Sequence, residues 1–269
     1  MEAVQWWEAN GSGDRPSDPF EVIRDFMDGG SVLTAREIHG HDLFYGNATC
    51  AIFCHNTGGP VTGTDWPIFN DNGRIIDGEL YTGFGFFNIG FPANPENPQY
   101  ELDPDFADRG LYENTGDSVH IGDFKEPTLR NVDKRPGKGF VKAYSHNGYF
   151  KSLEGIVHFY NTRDTKPTCK DKNGEDEYFL TEREALKRGC WPAAEIVDAT
   201  NIFGCAPGRT YDQCREEDIG EDFCDDKVLG DAGTNIGHLC QSAEEEAEVV
   251  AYLKALTDLY TPKEPKPLK

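Results

Sequence analysis

Two cysteines and a histidine lie within six residues of one another in the segment NATCAIFCHN. Cys50, Cys54 and His55 form the pattern Cys-x-x-x-Cys-His. Residues of these types suit three kinds of chemistry. Two cysteines can hold a haem through thioether bonds while the histidine binds its iron, cysteine and histidine together can bind zinc, or the cysteines can close a disulfide loop.

The spacing of this triplet favours the haem interpretation. Haem attachment usually has two residues between the cysteines, and a bulge of the loop would accommodate the third. A zinc site needs two further ligands at comparable spacing, and although His39 and His41 lie upstream, the sequence has no Cys-x-x-Cys pair. A disulfide between Cys50 and Cys54 would close an unusually tight loop. On the motif alone, both alternatives stay open.

The composition is that of an acidic chain with enough apolar residues for a substantial core. Its 269 residues permit one large domain or two small ones, and 37% are hydrophobic and 12% aromatic. The 29 glycines and 16 prolines predict loops around that core. The net charge of -22 argues against nucleic acid and anionic lipid as partners. It favours a basic protein partner, a high-salt environment or simply a soluble surface.

The cysteines and the N-terminus bear on the cellular compartment. Eight cysteines in one chain indicate an oxidising environment. The N-terminal segment MEAVQWWEANGSGDRPSDPFE lacks the basic and apolar regions of a signal peptide. The sequence also has no long apolar run that would predict a membrane span. We therefore expect a periplasmic or otherwise exported protein whose signal peptide is not in this chain.

Four segments carry the signals of helices. Asp18-Pro19 gives an N-cap followed by a proline at the first helical position. TARE at 34–37 and SAEE at 242–245 have the spacing of capping boxes. Apolar residues at i, i+3, i+4 and i+7 predict a short helix over 152–160. The segment that follows SAEE adds an apolar stripe, at Val249, Val250, Leu253 and Leu256.

The remaining segments predict loops. Residues 56–140 are rich in Gly, Pro, Asn and Asp without a sustained period, and so long a loop region usually wraps something or carries function. Residues 205–240 hold four cysteines among acidic residues, which indicates a disulfide-stapled insertion. The cluster REEDIGEDFCDD within it could bind calcium, but a solvated surface is the simpler interpretation. We expect the tail, 261–269, to be disordered.

Several further segments occur in the order found in one protein family. FFNIGFPANPENP, DRGL, TLRNV, SHNGYFKSLE, FYNTRD and CWPAAE follow one another along the chain. In these segments the chain resembles the bacterial di-haem cytochrome c peroxidase and MauG family. The match is to the C-terminal haem domain of that family, from about residue 18 to residue 260, apart from the Cys-rich insertion. The resemblance implies covalently bound haem c.

The resemblance also implies axial ligands. His55 would be the proximal ligand, with Cys50 and Cys54 as the thioether anchors. In the family, the other face of the haem meets a methionine in the peroxidases or a tyrosine in MauG-like proteins, and the matching position here is Tyr160. Tyr160 falls on the apolar face of the predicted helix over 152–160, so we expect it to point inward. The alternative is a core tyrosine bonded to a carbonyl group.

Other residues near the haem follow from the same resemblance. His146 matches a histidine that is common to the family near the haem, and His158 is a weaker competitor. Arg130 matches the arginine of the family's LRN segment, where it would meet a haem propionate or a nearby carboxylate, or simply hold the loop. Met1 and Met27 are the two methionines of the sequence, so no methionine downstream can bind the iron.

The chain departs from the family in two respects. Full-length members carry a second haem domain upstream, where peroxide is handled, whereas this sequence has one attachment motif and therefore one haem. A haem bound by His55 and Tyr160 has no vacant position, so we expect it to pass electrons at a lower potential than a His–Met haem. Val141 and Ala143 stand where the family's Thr-x-Pro segment binds calcium, so calcium is possible but doubtful.

Six cysteines lie outside the attachment motif. The resemblance implies a disulfide between Cys169 and Cys190, because family members have similar pairs. The last four permit three disulfide connectivities, and irregular spacing in acidic surroundings disfavours a zinc site made from them. These four are Cys205, Cys214, Cys224 and Cys240.

The expected fold is mostly α and loop-rich, a cytochrome c-like haem domain with long wrapping loops and a disulfide-stapled insertion. Residues 1–17 would be an N-terminal extension that matches the connection between the family's two domains. Residues 18–260 would form the haem domain, which includes the Cys-rich insertion at 201–241. The tail, 261–269, would follow it.

The expected function is that of a mono-haem c-type cytochrome, acting as an electron-transfer protein or relay subunit. Its partner would be another redox protein or haem subunit with a basic docking surface. One alternative is the relay half of a cytochrome c peroxidase or MauG-like oxidase that a second haem chain completes. The other is a structural haem subunit of a larger redox complex.

Overall fold

The computed structural model describes residues 33–55, 81–134, 142–197, 199, 201–203 and 236–257. The chain divides into two compact units. Of the described residues, the first unit holds 33–55, 81–84, 126–134 and 247–257, and the second unit holds the others.

The described residues form short helices and little sheet. The helices are α1 (Ala35–Tyr45), α2 (Cys50–Phe53), α3 (Gln99–Leu102), α4 (Tyr112–Thr115), α5 (Leu153–Thr162), α6 (Glu182–Arg188) and α7 (Ala243–Ala255). A 3₁₀ helix (Ser118–His120) lies between α4 and α5. The two strands are β1 (Phe86–Phe87) and β2 (Phe124–Lys125), which pair antiparallel with Phe87 opposite Phe124. The chain is therefore partly helical with few strands in the part that the structure describes.

Helix α1 begins at the predicted capping box. The backbone N–H of Thr34 donates to the Glu37 carboxylate at 2.7 Å, and the backbone N–H of Glu37 donates to the Thr34 hydroxyl at 3.4 Å. These two bonds satisfy donors that the start of a helix leaves without helical partners. The capping box at Ser242 is likewise present at the start of α7, as predicted.

The core of the first unit lies where α1 meets the C-terminal part of α7. Gly40 permits the close approach, because a Cβ atom there would stand 2.0 Å from the carbonyl oxygen of Glu248. Three residues of the predicted apolar stripe are buried, as expected for a helix face packed on its neighbour. The buried side chains here are Leu43, Phe44, Val249, Val250, Tyr252 and Leu253.

The second unit is packed around aromatic side chains. Trp191, Phe150 and Phe159 are almost completely buried, and their rings meet edge-on or tilted, as aromatic pairs prefer. Helix α5 crosses this core, and its N-cap Ser152 accepts a hydrogen bond from the N–H of Gly155 at 3.0 Å. The helix predicted over 152–160 is thereby confirmed.

Arg163, at the end of α5, holds several segments of the second unit together. Its guanidinium is completely buried and is paired with the Asp164 carboxylate at 2.7 Å. The same group donates to the carbonyl oxygens of Ile89, Phe203 and Ile236 at 2.9–3.1 Å. A buried cation is tolerated where its donors are satisfied in this way. The FYNTRD segment therefore has a structural role in this unit.

The disulfide predicted between Cys169 and Cys190 is present, with the two Cα atoms 5.1 Å apart. It fixes the segment between α5 and Trp191 at the edge of the aromatic core. Cys240 is also disulfide-bonded. Cys205, Cys214 and Cys224 lie outside the described residues, so the three possible connectivities of the last four cysteines stay open.

Other predictions also fall outside the described residues. These are the helix that would begin at Asp18, most of the Cys-rich insertion and the tail. The predicted domain limits stay predictions as well. None of the helices in the described ranges is long and apolar enough to cross a membrane.

Candidate functional site

The cysteine–histidine triplet lies in the first unit, on and just after the short helix α2. Cys50 is the first residue of α2 and Cys54 follows its last residue. One helical turn separates them, since the backbone N–H groups of Cys54 and His55 both bond to the Cys50 carbonyl. Residues four apart in a helix lie on the same face. The extra residue of the motif is thus accommodated by a helical turn instead of the expected bulge.

The two thiols are free and neutral. Cys50 is half-buried and Cys54 is buried, and neither forms a disulfide. Burial raises the pKa of Cys50 to about 12. Burial also raises the pKa of Cys54, and the neighbouring Glu126 carboxyl raises it further. A thioether leaves no charge on sulfur, so buried and neutral sulfur atoms suit covalent attachment.

His55 is held by one backbone contact. Its Nδ1 lies 2.9 Å from the carbonyl oxygen of Tyr81, which can only accept, so Nδ1 carries the hydrogen. Burial lowers the pKa of His55 to about 4, against the opposing effect of this hydrogen bond, so the ring is neutral at pH 7. Its Nε2 therefore bears a lone pair. A neutral imidazole whose other nitrogen donates to a carbonyl is the usual form of a metal-binding histidine.

The segment that begins at Tyr81 runs beside the triplet. The N–H of Gly83 donates to the carbonyl of Cys54 at 2.6 Å, and the Thr82 hydroxyl donates to the carbonyl of Glu126 at 3.1 Å. Sequence reasoning missed both Tyr81 and Glu126. Glu126 lies just before the TLRNV segment and could have been noticed there. Tyr81 acts through its backbone, which leaves no residue-type signal.

Arg130 lies in the first unit with the triplet and is exposed. Its backbone N–H donates to the Thr128 hydroxyl at 3.2 Å, so it forms part of a turn after the Glu126 segment. A contact between its guanidinium and a haem propionate stays a prediction.

Tyr160 lies in the second unit, on α5. It is partly buried and packs against the aromatic core, with its ring centroid 6.1 Å from that of Phe91. The backbone N–H of Gly237 donates to its carbonyl at 2.7 Å. The ring thus packs on the apolar side of the helix, as the helical phase predicts. Its role as an iron ligand stays a prediction.

His146 also lies in the second unit, in a network centred on Glu195. The Glu195 carboxylate accepts from His146 Nε2 at 2.7 Å, from the Asn147 amide at 2.9 Å and from the Tyr100 hydroxyl at 2.9 Å. The His146 ring stacks on Phe124 with centroids 3.5 Å apart. Its Nδ1 is buried and has no hydrogen-bond partner in the part of the chain that the structure describes.

The Glu195 carboxylate is ionised although it is almost fully buried. Burial acts to raise its pKa, but the hydrogen bonds from His146, Tyr100 and Asn147, together with the charge of His146, outweigh that effect. The pKa of Glu195 therefore lies below its ordinary value of 4.5. Sequence reasoning missed Glu195, although it ends the CWPAAE segment and a conspicuous carboxylate there could have been paired with His146.

The last candidates from the sequence are His158 and the calcium positions Val141 and Ala143. His158 Nδ1 lies 2.9 Å from the Glu246 carboxylate, and its ring contacts Trp191 at 5.8 Å. Ala143 is described and Val141 is not, so the calcium prediction is not tested there. Within the described ranges, no three His, Cys, Asp or Glu side chains gather closely enough to bind a metal ion.

The structure thus brings Cys50, Cys54, His55 and Arg130 into one unit. His146, His158 and Tyr160 belong to the other. The contacts described for the attachment triplet, with Tyr81, Gly83 and Glu126, lie within the first unit. The sixth iron ligand is a separate prediction.

Comparison with known proteins gives several partial matches, although no protein-family model matches the chain. The chain is 36% identical to the methylamine utilization protein MauG of Paracoccus denitrificans over 90 residues, which are 32% of this chain and 22% of that protein. It is 27% identical to the cytochrome-c peroxidase IdrP1 of Denitromonas iodatirespirans over 162 residues, covering 53% of this chain and 36% of the relative. It is 30% identical to the cytochrome-c peroxidase IdrP2 of a Pseudomonas species over 148 residues, covering 53% and 35%.

One solved structure shows the same fold. A variant of the diheme peroxidase BthA from Burkholderia thailandensis matches with a TM-score of 0.51 and 20% sequence identity. The match covers 87% of this chain and 44% of that chain. At this identity the likeness concerns the fold alone. The chain spans about a third of the length of the two cytochrome-c peroxidases and less than half of the solved peroxidase.

The sequence matches and the shared fold agree with the family resemblance of the quoted segments. The chain is therefore a relative of the MauG and di-haem cytochrome c peroxidase family.

Proposed function

We propose that the chain binds one haem c through Cys50, Cys54 and His55 and takes part in electron transfer. The observation that carries this proposal is the hydrogen bond from His55 Nδ1 to the Tyr81 carbonyl. It leaves Nε2 as a neutral nitrogen with a lone pair, immediately after two free thiols that lie one helical turn apart. A covalent haem would supply an iron that changes between ferric and ferrous states.

The residues of the first unit would do three things for such a group. The two thiols would become thioether anchors, for which their neutral state is suited. His55 would present Nε2 to the metal, with its tautomer fixed by Tyr81. The burial of Cys54 would limit water around its sulfur atom, and burial is one of the factors that set a haem potential.

We propose Tyr160 as the second axial ligand. Its position on the apolar side of α5 and the matching tyrosine of MauG-like proteins support this assignment. Two axial protein ligands would leave no vacant position for peroxide, and an anionic oxygen ligand would favour ferric iron. The chain would then act as an electron carrier or relay, not as the peroxide-reducing centre.

A relay within a larger peroxidase or MauG-like oxidase is the second candidate, and it fits about equally well. Its support is that the relatives include cytochrome-c peroxidases of which this chain spans about a third. A second haem chain would then complete the enzyme. In either case we propose a redox protein or haem subunit as partner, docking through a basic surface onto this acidic chain. We also propose export to the periplasm, where haem c and disulfides are compatible.

The experiment that tests the proposal is a haem count on the purified chain by the pyridine haemochrome assay. The expected result is one haem per polypeptide, retained through denaturation because it is covalent. The double variant Cys50→Ser, Cys54→Ser should lose it, while the control Cys169→Ser, Cys190→Ser should keep it. A wild-type chain without covalent haem would return the triplet to disulfide or zinc chemistry.

A copurification experiment separates the two candidates. Peroxidase activity that appears only when a second haem polypeptide is present would support the relay half of an enzyme. One haem and rapid electron exchange without such a chain would support the free cytochrome.

A further inference from the structure

Tyr81 has a backbone conformation that a tyrosine adopts only where the surroundings enforce it. Its φ angle is +51°, in the left-handed region that favours glycine. Strained backbone of this kind persists when neighbouring contacts determine it, and it is concentrated at functional sites. In this conformation the Tyr81 carbonyl points at His55 and accepts its Nδ1 hydrogen at 2.9 Å.

The side chain of Tyr81 is held by other tyrosines of the same unit. The Tyr252 hydroxyl donates to the Tyr81 hydroxyl at 3.3 Å, and Tyr45 is a further hydrogen-bonding neighbour of Tyr252. The Phe44 ring contacts the rings of Tyr81 and Tyr252, with centroids 6.4 and 5.4 Å away. Tyr252 itself is 3% exposed and lies on α7, against α1.

The neighbours of Tyr81 along the chain are fixed independently. Thr82 is bonded to Glu126, and Gly83 is bonded to the carbonyl of Cys54. These contacts anchor the chain after Tyr81, whereas the tyrosine cluster anchors its side chain. Between the two anchors the peptide carbonyl of Tyr81 has little freedom to turn away from His55.

We propose that Tyr81 is a positioning residue for the iron ligand His55, and that Tyr252 acts through Tyr81 as its anchor. The inference rests on the proposed function, because it assigns these tyrosines a role toward the haem. A hydrogen bond from the outer nitrogen to a carbonyl fixes the ring orientation and raises the basicity of the nitrogen that faces the metal. A more basic ligand favours ferric iron, so the cluster would help to hold the haem potential low.

The test uses the haem-loaded protein and two conservative variants, Tyr252→Phe and Tyr81→Phe. Each removes one hydroxyl and keeps the aromatic packing. We expect one haem per chain in both, shifted g values in the low-spin EPR spectrum of the ferric form, and a higher midpoint potential. The ratio of ferrous to ferric haem at a fixed potential should rise by about threefold, because the tyrosine hydroxyls act on His55 only through the Tyr81 carbonyl. Losing a direct partner of a metal ligand costs about 10–100-fold in metal affinity or activity. Tyr178→Phe, an exposed tyrosine of the other unit, is the matched control.

The two proposals fail in different ways. A wild-type chain without covalent haem would overturn the proposed function and this inference with it. Haem-loaded variants whose EPR g values and potential equal those of the wild type would overturn the inference alone, because the anchors at Thr82 and Gly83 would then suffice. Loss of stability with an unchanged potential would also overturn it, since a merely structural role predicts that result.

Discussion

Tyr160 is the residue on which the choice between electron carrier and peroxidase depends. A haem iron bound by two protein side chains has no position open to peroxide, whereas one bound by His55 alone has. Tyr160 packs on the aromatic core of its unit, and its hydroxyl is the only part of it with ligand chemistry.

Replacing Tyr160 by phenylalanine should therefore open the iron. We expect the ferric absorption and EPR spectra to change from low-spin to a five-coordinate or water-bound form, with a higher midpoint potential because an oxygen ligand to ferric iron is lost. The matched control is Tyr178→Phe, which should leave both unchanged. If the spectra of the Tyr160 variant equal those of the wild type, the sixth ligand is His146, His158 or Met27.

Glu195 makes the stability of the fold depend on pH, and its lowered pKa gives the direction of that dependence. Its folded-state pKa lies below the ordinary value of 4.5, so the ionised carboxylate stabilises the fold. That contribution is complete above the unfolded pKa and is lost as the pH falls through the folded pKa.

Glu195→Gln should lower the free energy of unfolding by about 1–3 kcal/mol at pH 7, because charged hydrogen bonds become neutral ones. The difference from the wild type should shrink as the pH falls from the unfolded pKa through the lower folded pKa, because protonation of the carboxyl group removes its advantage in the folded state. Urea denaturation at several pH values measures both quantities. Glu101→Gln, at an exposed position, is the control. A constant difference down to the lowest folded pH would show that Glu195 is not ionised in the folded chain.

At the scale of elements, local signals explain which helices could be predicted. The capping boxes at Thr34 and Ser242 involve residues three apart, so the sequence alone identifies them. Helix α6 has the same signal, a box between Thr181 and Glu184, and it ends at Gly189 with φ +70°. It was not predicted, although both signals could have been read from the sequence.

Non-local contacts explain most of what the sequence did not predict. Strands β1 and β2 are two residues each and pair residues that are 37 and 39 positions apart, so no alternation is long enough to reveal them. The bond between His146 and Glu195 spans 49 positions. The His55 ring is oriented by a hydrogen bond to a backbone carbonyl, and because every residue has such a group, the sequence does not reveal which residue provides it. The types of the residues proposed to attach haem could be read from the sequence, whereas the contacts that support them could not.

The disulfide between Cys169 and Cys190 should contribute measurably to the stability of the second unit. It closes a loop with a sequence separation of 21. Without the bridge the unfolded chain gains conformational entropy, which lowers the free energy of unfolding by about 3 kcal/mol. The double variant Cys169→Ser, Cys190→Ser should lose about this much unfolding free energy while keeping its haem. The double variant is preferable to a reductant, because Cys240 is also disulfide-bonded. Equal stability with and without the bridge would mean that packing around Trp191 alone holds the loop.

At the scale of the whole molecule, charge is the property that bears most on partners. The sequence has 48 acidic and 26 basic residues, so a long-range negative field surrounds the chain. Such a field speeds encounters with basic proteins and slows encounters with acidic ones, while it contributes less to the final affinity. The proposed relay would have to meet its donor and acceptor repeatedly, so this effect on the encounter rate would matter to it.

Electron exchange between the haem-loaded chain and a basic redox protein should therefore slow down as salt is added. The Debye length falls from about 30 Å at 0.01 M to about 10 Å at 0.1 M ionic strength, which screens charges beyond direct contact. We expect the second-order rate constant, measured by stopped-flow absorbance, to fall by about tenfold or more over that range. An acidic redox protein of similar potential is the control, and its rate should rise with salt. If the basic partner's rate does not depend on salt, the negative charge serves solubility, and docking must rely on an apolar surface instead.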